Sequence, residues 1–183
     1  MKKILWAAAL AAAALSPGAL CAKVLHSAHV TIVQSDQPKR LDWEVTVPAS
    51  LGVVWDAFTT QAGMTSWLAP RATVELVPGG AWRAQFPGYA EAGGNIVVFQ
   101  PDTLLVLTAM APEQFPTVRR ERTLAVFTFT AHGDAETVVH LAQTGWKDGP
   151  EWERAYAYLT TGNTQLLEAL YTRFAGGQPV KWN

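Results

Sequence analysis

The sequence predicts an α+β domain in which an antiparallel meander lies between two short helices and a long C-terminal helix. Three observations predict it. Pairs of Pro, Gly and Asp punctuate Ala72 to Thr144 at hairpin spacing, Pro150 to Phe174 carries one broad apolar stripe, and Pro48-Ala49-Ser50 is followed by apolar residues at helical period. The 183 residues and 19.8 kDa are enough for one core. No repeat, charge block or linker divides Lys23 to Asn183, so 23–183 is read as one domain. Hydrophobic residues make up 49% and charged residues 16%, which excludes a disordered chain. A net charge of −1 gives no reason to expect nucleic acid or an anionic membrane as partner.

Met1 to Ala22 reads as a signal peptide: Lys2 and Lys3 precede an apolar run from Ile4 to Leu15, and Ser16-Pro17-Gly18 breaks it ahead of small residues. The run is about 12 residues, short of the roughly 20 that cross a bilayer, so stable membrane insertion is not expected. A periplasmic or secreted protein follows. Cys21 is the one cysteine, and cleavage after Ala22 would remove disulfides, thiol nucleophiles and thiolate metal ligands from the mature chain.

Val24 to Val33 is strand-like and forms, within 23–38, an extra N-terminal strand. Leu41 to Val47 is a second strand, with Leu41, Trp43, Val45 and Val47 on one face. Ser50 is placed to cap a helix over Leu51 to Thr59. Gly63 is expected to interrupt it, and Met64 to Leu68 to form a second short helix before Pro70. Its Thr65, Ser66, Trp67 and Leu68 offer nothing to base edges, against a DNA-reading role.

In the meander, Trp82, Ala84 and Phe86 alternate with Arg83 and Gln85, while Val139, Leu141 and Gln143 share a face opposite Val138 and His140. Ala111 to Arg122, with two prolines and three arginines, lacks periodicity and reads as an exposed loop, a candidate lid or rim. On the C-terminal helix the stripe runs through Trp152, Tyr156, Leu159, Asn163, Leu166 and Leu170. Gly162 weakens that helix by about 1 kcal/mol relative to alanine and marks a candidate kink. Gly176-Gly177 ends it.

Five short runs carry a family resemblance: VPAS at Val47 to Ser50, VWDAFTT at Val54 to Thr60, WLAP at Trp67 to Pro70, PGG at Pro78 to Gly80 followed by Trp82, and TGW at Thr144 to Trp146. In this order the chain resembles the helix-grip fold of the START and birch-pollen-allergen superfamily (SRPBCC), in the branch named after the activator of the ninety-kilodalton heat-shock protein ATPase. The resemblance implies a curved antiparallel sheet wrapped around the C-terminal helix, with a cavity that in relatives holds apolar molecules. A chaperone ATPase partner is not expected, because such a partner is cytosolic and hydrolyses ATP.

Within such a cavity the expected contacts are rings from Trp82, Phe86, Trp152 and Tyr156, with Gln143, Asn163 and the Tyr156 hydroxyl as hydrogen-bonders. Trp55 and Trp67 are assigned to core packing. No general acid or base, metal pair, phosphate cradle or serine elbow can be placed inside, so no catalytic residue, metal or cofactor is expected. Arg119, Arg120 and Arg122 either clamp an acidic head group at the mouth or belong to a solvated loop. The function that follows is an exported, non-enzymatic protein holding a small apolar or amphipathic ligand. A cyclase- or hydrolase-like enzyme and an interaction module using the N-terminal strand stay open as alternatives.

Overall fold

The computed structural model describes residues 22–176 together with 178 and 179. The expected leader lies outside them except for Ala22, and so does Cys21. Among the described residues no helix is long and apolar enough to cross a membrane.

Among the described residues nine strands form one antiparallel sheet in the order β1-β2-β3-β9-β8-β7-β6-β5-β4. The meander runs from β4 (Arg71–Val74) through β5 (Ala81–Gln85), β6 (Ala92–Gln100), β7 (Leu104–Met110) and β8 (Thr123–His132) to β9 (Glu136–Thr144). Strand β9 returns beside β3 (Lys39–Val47), with Trp43 opposite Leu141 and Val45 opposite Val139. The alternation in β3 separates its faces as expected. Leu41, Trp43, Val45 and Val47 are buried, while Asp42 on the other face pairs with His140 at 3.0 Å.

The N-terminal extension differs from expectation. Val24 to Val33 is not one strand but a hairpin of β1 (Ala22–His26) and β2 (Val30–Asp36), closed by the Ser27 N–H donating to the Val30 carbonyl at 2.9 Å. Its bend has no Gly or Pro and is held from outside. The His29 backbone N–H and ring meet the Glu168 carboxylate at 2.8 and 2.7 Å, and the His29 ring stacks on Tyr171 at 3.7 Å. Burial disfavours the Glu168 carboxylate, but hydrogen bonds from Ser27 and His29 outweigh it and hold its pKa below the usual range.

Helix α1 (Leu51–Thr59) has the expected bounds, with Ser50 at the N-cap position but without a side-chain cap bond. Helix α2 (Gln61–Thr65) starts three residues before the expected Met64, because the Thr60 hydroxyl accepts the Gly63 N–H. Gly63 therefore lies inside α2. A Cβ there would come within 1.9 Å of the Asp56 carbonyl oxygen, so glycine permits the two helices to pack end to end.

The segment 111–122 is not a plain exposed loop. It contains α3 (Pro116–Glu121), with Phe115 and Val118 buried. The α3 N-terminus has no cap of its own. Instead Glu151, in the first turn of α4 (Pro150–Ala175), accepts the N–H groups of Thr117 and Val118 at 2.6 and 3.0 Å. Helix α4 runs unbroken for 26 residues through Gly162 and Asn163. Trp43 fixes it to the sheet by donating its indole N–H to Thr164 at 3.1 Å.

Candidate functional site

A cavity of about 750 Å³ lies between α4 and the inner face of β5, β7, β8 and β9. Alternation on these strands turns Trp82 and Ala84, Leu107, Phe127 and Leu141 toward it, and α4 closes it with Leu159, Asn163 and Leu166. The volume suits one small organic ligand.

Two indoles shape the floor, and their N–H groups fix them. Trp67 donates to the Ala57 carbonyl at 2.9 Å and Trp82 to the Phe58 carbonyl at 2.7 Å. These are carbonyls of the last turn of α1, which have no partner within the helix. One arrangement thus completes a helix end and leaves ring surface on the cavity.

Gln143 is the polar element of the wall. Its carboxamide donates to the Thr123 hydroxyl at 2.8 Å and accepts from the Asn163 carboxamide at 2.9 Å, across the gap between β9 and α4. With Gln143 only 2% exposed, these bonds offset a desolvation cost of about 1–3 kcal/mol per unpaired group. Asn163 Oδ1 and the second hydrogens of Asn163 Nδ2 and Gln143 Nε2 form no further bond among the described residues, leaving one acceptor and two donors on the amide pair.

The ionisable lining groups sit at the lip: Glu91, Glu113, Arg119 and the phenols Tyr89 and Tyr158. Arg119 donates to the Ala111 carbonyl at 2.7 Å and the Glu91 carbonyl at 3.2 Å, so it ties the 87–92 loop to the end of β7. No three His, Cys, Asp or Glu side chains converge as a metal site among the described residues.

Of the six expected contacts, Trp82, Phe86, Gln143 and Asn163 line the cavity. Trp152 and Tyr156 do not, and for them the expectation is corrected. They sit a turn or more earlier on α4, where the helix is gripped by β3 rather than facing open space. Tyr156 packs edge-on against Trp146 with centroids 5.0 Å apart and donates to the Arg40 carbonyl at 2.9 Å, and Trp152 packs against the other side of that cluster. Trp67, assigned to the core, is a lining residue. Sequence reasoning noticed Gly162 only as a weak point of the helix, and it too lines the cavity.

Burial, then the carboxylates of Asp36, Glu153 and Asp42, push the Tyr156 phenol up from 10.0 to about 12. The folded protein therefore keeps a proton that the unfolded chain releases first. The resulting stability is complete below pH 10 and is lost as pH rises toward 12. Replacing Tyr156 with Phe is expected to flatten the fall in urea midpoint over that window, and an unaltered alkaline slope contradicts this assignment.

Residues 48–175 match the family described as Activator of Hsp90 ATPase homolog 1-like protein. No curated protein matches the chain in sequence. Solved structures share the fold. The protein MLL2253 of Mesorhizobium loti is 20% identical with a TM-score of 0.63, over 75% of this chain and 98% of that one. The Aha1 dimer of Colwellia psychrerythraea is 17% identical with a TM-score of 0.59, over 74% and 95%. CalU16 of Micromonospora echinospora is 15% identical with a TM-score of 0.57, over 87% of each chain. With the match covering well over half its length, the chain belongs to the Activator of Hsp90 ATPase homolog 1-like family, on the helix-grip fold of the SRPBCC superfamily.

Proposed function

We propose that this protein is exported and holds a small apolar or amphipathic molecule in the cavity between the sheet and α4. The observation that carries the reading is the cavity of about 750 Å³, walled by rings and aliphatic side chains and furnished inside with one neutral amide pair. Burying about 300 Å² of apolar ligand surface contributes about 7 kcal/mol before ordering costs. Micromolar affinity is the ceiling that this balance sets without better polar contacts, with Gln143 and Asn163 orienting the ligand more than holding it. The leader-like N-terminus supports export to the periplasm or beyond the cell.

Native mass spectrometry of protein purified from its own host is the test, followed by organic extraction of any bound mass. A reproducible apolar or amphipathic adduct is the expected result. Titration with apolar probes should also quench tryptophan emission, because Trp67 and Trp82 border the cavity. Turnover of the extracted molecule would replace the carrier reading with an enzymatic one. Absence of both adduct and quenching removes it.

A further inference from the structure

The two walls that meet at Gln143 and Asn163 carry no charge, and their sequences make it so. From Ala155 to Leu167 the helix α4 has no acidic or basic residue. Strand β7 has none either. The ionisable residues of β8 and β9 alternate onto the outer face, where His132 meets Glu136 at 3.1 Å and His140 meets Asp42 at 3.0 Å. Gln143 stands in a cross-strand row with Leu41, Ala125, Leu107 and Ile96, all of them buried. One turn from Asn163 on α4 lie Leu159, Leu166 and Leu167.

Within this apolar sleeve the amide pair keeps hydrogen-bonding capacity of both kinds. Gln143 is held at both ends of its carboxamide, by Thr123 at 2.8 Å and by Asn163 at 2.9 Å, so its second Nε2 hydrogen has a set direction. Asn163 adds the acceptor Oδ1 and a further donor. A carboxylate or ammonium seated there would give up its water and meet no counter-ion, a heavier loss than an amide or hydroxyl suffers. A neutral group that donates and accepts recovers both bonds. The lip offers an anion little in exchange, because the Arg119 guanidinium already donates to the Ala111 and Glu91 carbonyls.

We infer that the ligand is an uncharged amphiphile that seats a carboxamide or hydroxyl on the Gln143–Asn163 pair. Its polar end lies inside the cavity, and its chain lies against Leu107, Phe127 and Trp82. The inference rests on the cavity reading above and adds the charge and the polar group of the ligand.

Titration at about pH 8 with dodecanamide, dodecanol, dodecanoate, dodecylammonium and dodecyl chloride, each below its aggregation limit, tests it. The intact protein is expected to bind the amide and the alcohol at least tenfold more tightly than either ion. In Asn163→Leu the affinity for dodecanamide relative to dodecyl chloride is expected to fall at least fivefold, with dodecyl chloride binding retained. Asn163→Ala gives the same ratio with less added volume, so a leucine variant that does not fold leaves the test standing. Either ion binding as tightly as dodecanol in the intact protein overturns the uncharged class and leaves the cavity in place. A ratio unchanged by substitution of Asn163 overturns the seat on the amide pair. Failure of all five probes removes the cavity reading and this inference with it.

Discussion

Gly94→Ala is expected to lower the unfolding free energy by about 3 kcal/mol or more, at the upper end of what an overpacked interior costs. Gly94 sits in β6 between Trp82 of β5 and Ala109 of β7. A Cβ at this position falls 1.4 Å from the Thr108 carbonyl oxygen, and the clash is with backbone, which no side-chain rotation relieves. The strands must part, yet the Thr108 hydroxyl already binds the Asn95 N–H at 3.0 Å and the ladder continues on both sides. Relief would also shift Trp82, whose indole holds the end of α1. Domains of this size have about 5–15 kcal/mol of stability, so much of it is at stake. Urea denaturation of both proteins measures the loss. A change below about 0.5 kcal/mol, within the usual range for surface substitutions, contradicts the close approach.

Gly162→Phe should do the reverse, abolishing ligand binding while sparing the fold. Gly162 faces the cavity from the middle of α4, and a Cβ there meets nothing within 4 Å. A phenyl ring is therefore admitted at the cost of ligand space. Alanine at this site isolates the helix term: Gly162→Ala is expected to raise stability by up to about 1 kcal/mol, with the cavity almost unchanged. Titration with dodecanol should show at least a tenfold weaker affinity for Gly162→Phe and little change for Gly162→Ala. Undiminished binding by the Phe variant would mean that the ligand lies elsewhere.

Much of this architecture was legible because it is local. The two-residue period of β3 and the stripe of α4 each fit within one element, the turn residues between β4 and β9 each join neighbouring strands, and these elements are present in the fold, with α3 added between β7 and β8. What escaped was imposed from a distance. The bend at Ser27 to His29 has no turn residue and is secured by Glu168, 139 positions away in sequence. Helix α3 hides among prolines and arginines because its N-terminal cap comes from Glu151. The candidate site divided along the same line. Strand parity and helix phase turn Gln143 and Asn163 toward the cavity that they line. Trp152 and Tyr156 share the helix stripe with Asn163, but a stripe does not reveal which stretch of it meets β3 and which meets open space.

The chemistry of the inner wall bears on how a ligand of the proposed kind would be released. Nothing between Trp82 and Asn163 exchanges a proton near neutrality, since the polar contact there is carboxamide to carboxamide. Acidification of the surroundings has no handle on that chamber. On the proposed reading, release falls to other parts of the molecule, such as parting of the Arg119 contacts that tie the 87–92 loop to the end of β7.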